Sequence, residues 1–185
     1  MRSPQLARVT PHHFQIAELA LRQIAEAGHR RVAWVTRGDS EESDGAVSLA
    51  AHVLAQRGVA ITLVPFRGDA GVEEFAACAP RRGWDAILVP DEKAADEVAA
   101  IARVSVAARS IFTLNRAPDG RWAGVFQNPQ TVGQLAVEAL ARSIQGGERG
   151  PSAYAAVTMI EGVWVNPACR RFNEDVPLAA STASA

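Results

Sequence analysis

The sequence is poor in cysteine, balanced in charge and without any long apolar run, and each shortage removes a class of function. Two cysteines in 185 residues, Cys78 and Cys169, are too few for a disulfide scaffold. They stand at no metal-ligand spacing to each other or to the four histidines, and both read as ordinary buried or half-buried thiols. A formal charge of -1 gives no electrostatic footprint for nucleic acid, and the pairs Arg81-Arg82 and Arg170-Arg171 are too short to make one. Direct binding of nucleic acid is therefore not expected. No apolar stretch approaches the roughly 20 residues of a membrane span. The opening MRSPQLARVTPHHF lacks the apolar core of a secretory leader, so the expectation is a cytoplasmic protein with no membrane partner.

Motifs for chemistry are missing as well. His12, His13, His29 and His52 form no HExxH pair and have no acidic cluster beside them, so no metal site is expected; the adjacent His12 and His13 are the only pair of interest. There is no GxSxG elbow and no cysteine with histidine support, and Ser40 and Ser43 lie in an acidic loop, a poor setting for an activated hydroxyl. No catalytic residue or cofactor is assigned, and the chain is not expected to be an enzyme. The loop RGDSEESDG (37–45) sits between a strand and a helix, where phosphates often bind. Its Asp39, Glu41, Glu42 and Asp44 would repel a phosphate and instead suit the positive end of a helix, with Ser43 or Asp44 as the cap.

What is present is an alternation of helix and strand. Residues 14–27 carry Ile16, Leu19, Ala20, Ile24 and Ala27 at helical spacing, with Gly28 as the stop. RVAWVT (31–36) is the kind of continuous β-branched run that suits a strand covered on both faces. The same alternation continues with a helix at 44–58, a strand at 60–66, a helix near 71–82, strand DAILVP (85–90), a helix near 92–103 and strand SIFTLN (110–115). The fold class is α/β, a parallel sheet flanked by helices. The turn-rich RAPDGRWAG (116–124) then leads through VFQ into a helix at 130–145, and YAAVTMIEGVWV (154–165) supplies one or two strands. Residues 1–11 read as a flexible N-terminus and 166–185 as a disordered tail.

Five pieces in this order carry a resemblance: a helix closing on AGHRRVAWV, a helix closing on LAQRG, WDAILVPDEKAA, a strand ending at LNR, and VFQNPQTVGQLAVEALARSIQGG. Together they make residues 12–165 resemble the C-terminal portion of the sensor module of LacI/GalR-type transcriptional regulators, whose fold is that of the periplasmic sugar-binding proteins. The resemblance implies a lobe of type I periplasmic-binding-protein form, plus a crossover helix, 130–145, that in the family belongs to an N-terminal lobe not seen before His12. It also implies where a ligand would be held. Asp91, Asn115 and Gln127 match family positions that contact a polyol, His12 stands where the family has an acid, and Phe14 keeps the aromatic that follows. The family's sugar-contacting arginine falls on Ala46, which has no donor to offer.

Trp122, in the crossover beside Gln127, is the one tryptophan that reads as a pocket residue; Trp34, Trp84 and Trp164 read as core. Two functions follow as expectations. The first is a sensor domain for a small sugar-like molecule, without the DNA-binding domain and N-terminal lobe of the family. The second is a non-binding interaction or dimerisation module, or the remnant of a regulator. The apolar stripe Val132, Leu135, Ala136, Ala139, Leu140 and Ile144 is too large to leave in water, so helix 130–145 should pack on the sheet or bury itself in a homodimer or another chain.

Overall fold

The computed structural model describes residues 7–36, 41–67, 83–102, 110–147 and 156–166. The helix expected near 71–82, the loop residues 37–40, both cysteines and the tail from 167 lie outside the described residues.

The first strand, β1 (Arg8–Pro11), is followed by α1 (His13–Glu26), β2 (Arg31–Thr36), α2 (Glu41–Gln56) and β3 (Thr62–Arg67). After the gap come β4 (Ala86–Asp91), α3 (Glu92–Ala102), β5 (Ile111–Asn115), β6 (Ala123–Phe126), α4 (Pro129–Gln145), β7 (Val157–Ile160) and β8 (Val163–Val165). Both early helices end where their glycines allow a left-handed turn, at Gly28 (φ 97°) and Gly58 (φ 80°).

A six-stranded sheet of order β3-β2-β4-β5-β6-β8 forms the body, parallel except for β8, which runs antiparallel to β6. Because side chains alternate across a strand, the sheet builds two cores. Val32, Trp34, Leu88, Phe112, Leu114 and Val125 face α1 and α2, where Ile16, Leu21, Ile24, Val47 and Leu54 meet them. Ala33, Val35, Ile87, Val89 and Ile111 face α3 and its Ala94, Ala95 and Val98. The α/β sheet flanked by helices is as the sequence implied.

A second, smaller assembly stands beside this body. β1 pairs in parallel with β7 in a two-stranded sheet, and α4 lies against β1. Residues 8–11, expected to be part of a loose N-terminus, are thus a strand, and the apolar run 154–165 divides between two sheets. The expectation that α4 packs on the main sheet is corrected. No residue of α4 is buried, and Val137, Leu140 and Ile144 are each more than 60% exposed. The physical reason is the αL backbone of Asn128 (φ 50°, ψ 54°), which turns the chain away from β6 before Pro129 starts the helix.

The chain passes between the two assemblies three times, at His12, at Gln127-Asn128 and at Glu161-Gly162. These crossings are tied together. The His12 N–H donates to the Ile160 carbonyl (2.8 Å), Asn128 Nδ2 to the Glu161 carbonyl (3.1 Å), and the Gly162 N–H to Gln15 Oε1 (3.0 Å).

Candidate functional site

In a parallel sheet the connections leave from the carboxyl ends of the strands, and polar residues placed there converge on one crevice. Here β4 ends at Asp91 and β5 at Asn115, which are direct neighbours in register, and Gln127 follows β6 by one residue. All three line a single cavity of about 230 Å³, together with His13 and Ile16 from the start of α1, Ala46 from α2, and Pro90 and Leu114. The volume is below the roughly 300–1,000 Å³ of sites for drug-sized ligands, which sets the scale of an occupant at a small molecule.

Each polar wall residue is held by its element. Asp91 Oδ1 accepts the Ala94 N–H at 2.8 Å, so the carboxylate caps α3 while it faces the cavity. Gln127 donates Nε2 to the Leu114 carbonyl at 2.9 Å, which fixes its amide. Asn115 is exposed at the strand end. Below them the wall is apolar, with Ile16 and Leu114 rooted in the core.

Three further residues expected at the site stand elsewhere. His12 is the N-cap of α1, its Nδ1 accepting the Gln15 N–H at 3.3 Å, and its ring leans on Phe14 with centroids 6.4 Å apart. Phe14 is half-buried against the core formed with α1 and α2. Trp122 is buried on the opposite face of the sheet, in the core with α3, so its expected place in the pocket is corrected. Its indole Nε1 donates to Asp96 Oδ1 at 2.8 Å, and that bond, with help from Arg121, holds the Asp96 carboxyl below the usual carboxylate range.

The residue that sequence reasoning missed is His13. Helical phase was the available signal, since His13 lies one turn before the buried Ile16. Ala46, by contrast, is where it was expected, lining the cavity with a methyl group. The acidic turn after residues 37–40 also differs in detail. The helix starts at Glu41, so Asp44 is already inside it and accepts the Trp34 Nε1–H at 2.8 Å. Among the described residues no three histidine, cysteine or acidic side chains gather as a metal site, and no helix is long and apolar enough to cross a membrane.

The body of parallel strands, the crevice at their carboxyl ends and three crossings to a second assembly make a fold like one lobe of the periplasmic binding proteins with part of a second. Solved structures that share it include LacI-family transcription regulators. A LacI-family regulator from Enterococcus faecium with bound ribose superposes with a TM-score of 0.68 at 13% identity, over 90% of this chain and 66% of that one. A ribose operon repressor from Lactobacillus acidophilus gives 0.66 at 14% identity, over 89% and 64%. The complex of the regulator CelR with cellobiose gives 0.63 at 15% identity, over 90% and 54%. At such identities the likeness is one of fold. The chain spans between 54% and 66% of the length of these three structures. No protein-family model and no curated protein matches the sequence.

Proposed function

We propose that the chain is a sensor domain that binds a small polyhydroxylated molecule, a sugar or related metabolite, in the cavity between α1, α2 and the strand ends, and performs no catalysis. The observation that carries this reading is the convergence of Asp91, Asn115 and Gln127 on one small cavity with an apolar floor. Carboxylate and amide groups accept and donate to hydroxyls in pairs, which is how a polyol is recognised. Matching structures that hold ribose and cellobiose lend support by fold alone. Occupancy would act through the crossings, because Gln127 and His13 are cavity residues adjacent in sequence to the tied Asn128 and His12.

A thermal-shift panel of sugars, polyols and amino sugars tests the reading. A ligand at a hundredfold excess over its Kd stabilises by about 2.7 kcal/mol, and Gln127→Ala should weaken that ligand about tenfold through a lost hydrogen bond. A folded protein that shifts with no member of the panel ends the proposal.

A second reading concerns α4. Val137, Leu140 and Ile144 on the helix and Val157 and Met159 on β7 stand exposed beside a groove of about 500 Å³ between α4 and β1. Parallel sheets are ordinarily covered on both faces. We propose that a second copy of the chain covers this surface, a homodimer measurable by light scattering.

A further inference from the structure

Asn115 closes β5 and Gln127 follows β6, and these parallel neighbours are joined by residues 116–122 alone. Parallel strands usually need about a dozen residues or more between them, most often a helix. A connection this short has no helix to hold its shape, and its carbonyls have no ladder to enter. We propose that Arg116 is the positioning residue of the cavity: its guanidinium holds this connection in one shape, and through it holds Gln127 beside Asn115. The inference deepens the site reading above and rests on it for its bearing on a ligand.

Arg116 is 3% exposed, and its guanidinium is ringed by backbone. Nε donates to the Trp122 carbonyl at 2.8 Å, Nη1 to those of Ala117 and Pro118 at 2.9 and 3.1 Å, and Nη2 to that of Gly120. Four carbonyls of the connection are thus gathered on one buried cation. Arginine alone offers enough donors in a planar fork for this; lysine has the charge but a single nitrogen. The Arg116 N–H donates to the Val125 carbonyl at 2.9 Å, which extends the β5–β6 pairing beyond Thr113 and Gly124 toward Gln127.

The same connection reaches the third polar wall residue. Glu92 follows Asp91 in the chain, and its carboxyl takes a backbone hydrogen bond at Ala117 and feels the charge of Arg116. Gly120 leaves it room, because a Cβ there would collide with Glu92 Oε1. Asp91, Asn115 and Gln127 therefore border one knot with Arg116 at its centre. Arg116 itself is not among the residues that line the cavity, so it acts on a ligand only through the residues it holds.

Water-exchange NMR of the Gln127 side-chain amide, which donates to the Leu114 carbonyl, tests the inference without a ligand. Arg116→Lys should speed that exchange about fivefold, in a protein whose β2 and β4 backbone amides stay protected. Ile24→Val, a core change at the far end of α1, should lower Tm and leave the Gln127 amide as it was. An amide unchanged in Arg116→Lys, or loosened equally by both variants, overturns the inference and makes Arg116 a purely structural residue. Should Arg116→Lys not fold, Pro118→Gly loosens the connection with the guanidinium kept; a rise of about twofold supports the inference and no rise overturns it. A sugar that stabilises the wild type should bind Arg116→Lys about tenfold more weakly, and Ile24→Val within about twofold. Equal affinity for wild type and Arg116→Lys overturns the inference too. A sugar panel without effect on the wild type ends the polyol reading alone, since the amide readout still decides this one.

Discussion

Glu92 opens α3 with its Oε1 buried and without a hydrogen-bond partner. Burial raises its carboxyl above the ordinary value, outweighing the pull of Arg116 and a backbone hydrogen bond at Ala117. A carboxyl whose folded-state pKa is raised contributes its stability below the unfolded pKa and loses it as pH climbs through the folded one. Glu92→Gln should therefore raise Tm at pH 7 by about 2 °C, with the gap closing below about pH 4. A gap that persists in acid would mean that packing, and not charge, is responsible. The change leaves Arg116 satisfied, because its guanidinium donates to the carbonyls of Ala117, Pro118, Gly120 and Trp122. At this scale the sequence was informative where a polar residue follows an apolar run. Asp91 and Asn115 end strands and Gln127 trails one, so their convergence was legible. His12 against His13 is a matter of one residue of helical phase, and Trp122 depends on which sheet face its loop covers, which no local pattern records.

Elements with their own signals were found within a few residues. β2, β4 and β5 are continuous apolar runs, and α1 and α2 end at glycines that accept positive φ. β1 was not recognised, because four residues give little periodicity and its partner β7 lies near the other end of the chain. The start of α4 was read at Gln130, one residue after Pro129 where it begins, but the αL turn at Asn128 that aims the helix was not seen. Asparagine is one of the few residues with a side chain that tolerates that conformation. Asn128→Ala should cost about 1–2 kcal/mol by placing alanine at positive φ and deleting the bond to Glu161, read as a lower urea midpoint at unchanged slope. Asn128→Gly should recover most of the loss. Equal losses for the two variants would show that the side-chain bond alone matters.

For the whole molecule the difference between body and satellite is one of burial. The body buries side chains on both faces of its central strands β2, β4 and β5, whereas no residue of α4 is buried and Val157 and Met159 of β7 stand exposed. Burial is worth about 25 cal/mol per Å², so this surface is where association would stabilise most. Leu140→Glu with Ile144→Glu should turn the proposed dimer into monomers while the thermal transition of the body is retained. A wild type that is monomeric at all accessible concentrations would remove the second-copy reading. The stripe itself was read from the sequence, but its setting was not, since orientation is decided by the three crossings. Those crossings carry a consequence of their own. With His12, Asn128 and Gly162 laced to one another, no strand can slide without dragging the other two, so the satellite has little left but to swing as one piece about a common axle. The cavity lies beside that axle, since its His13 and Gln127 adjoin His12 and Asn128 in the chain.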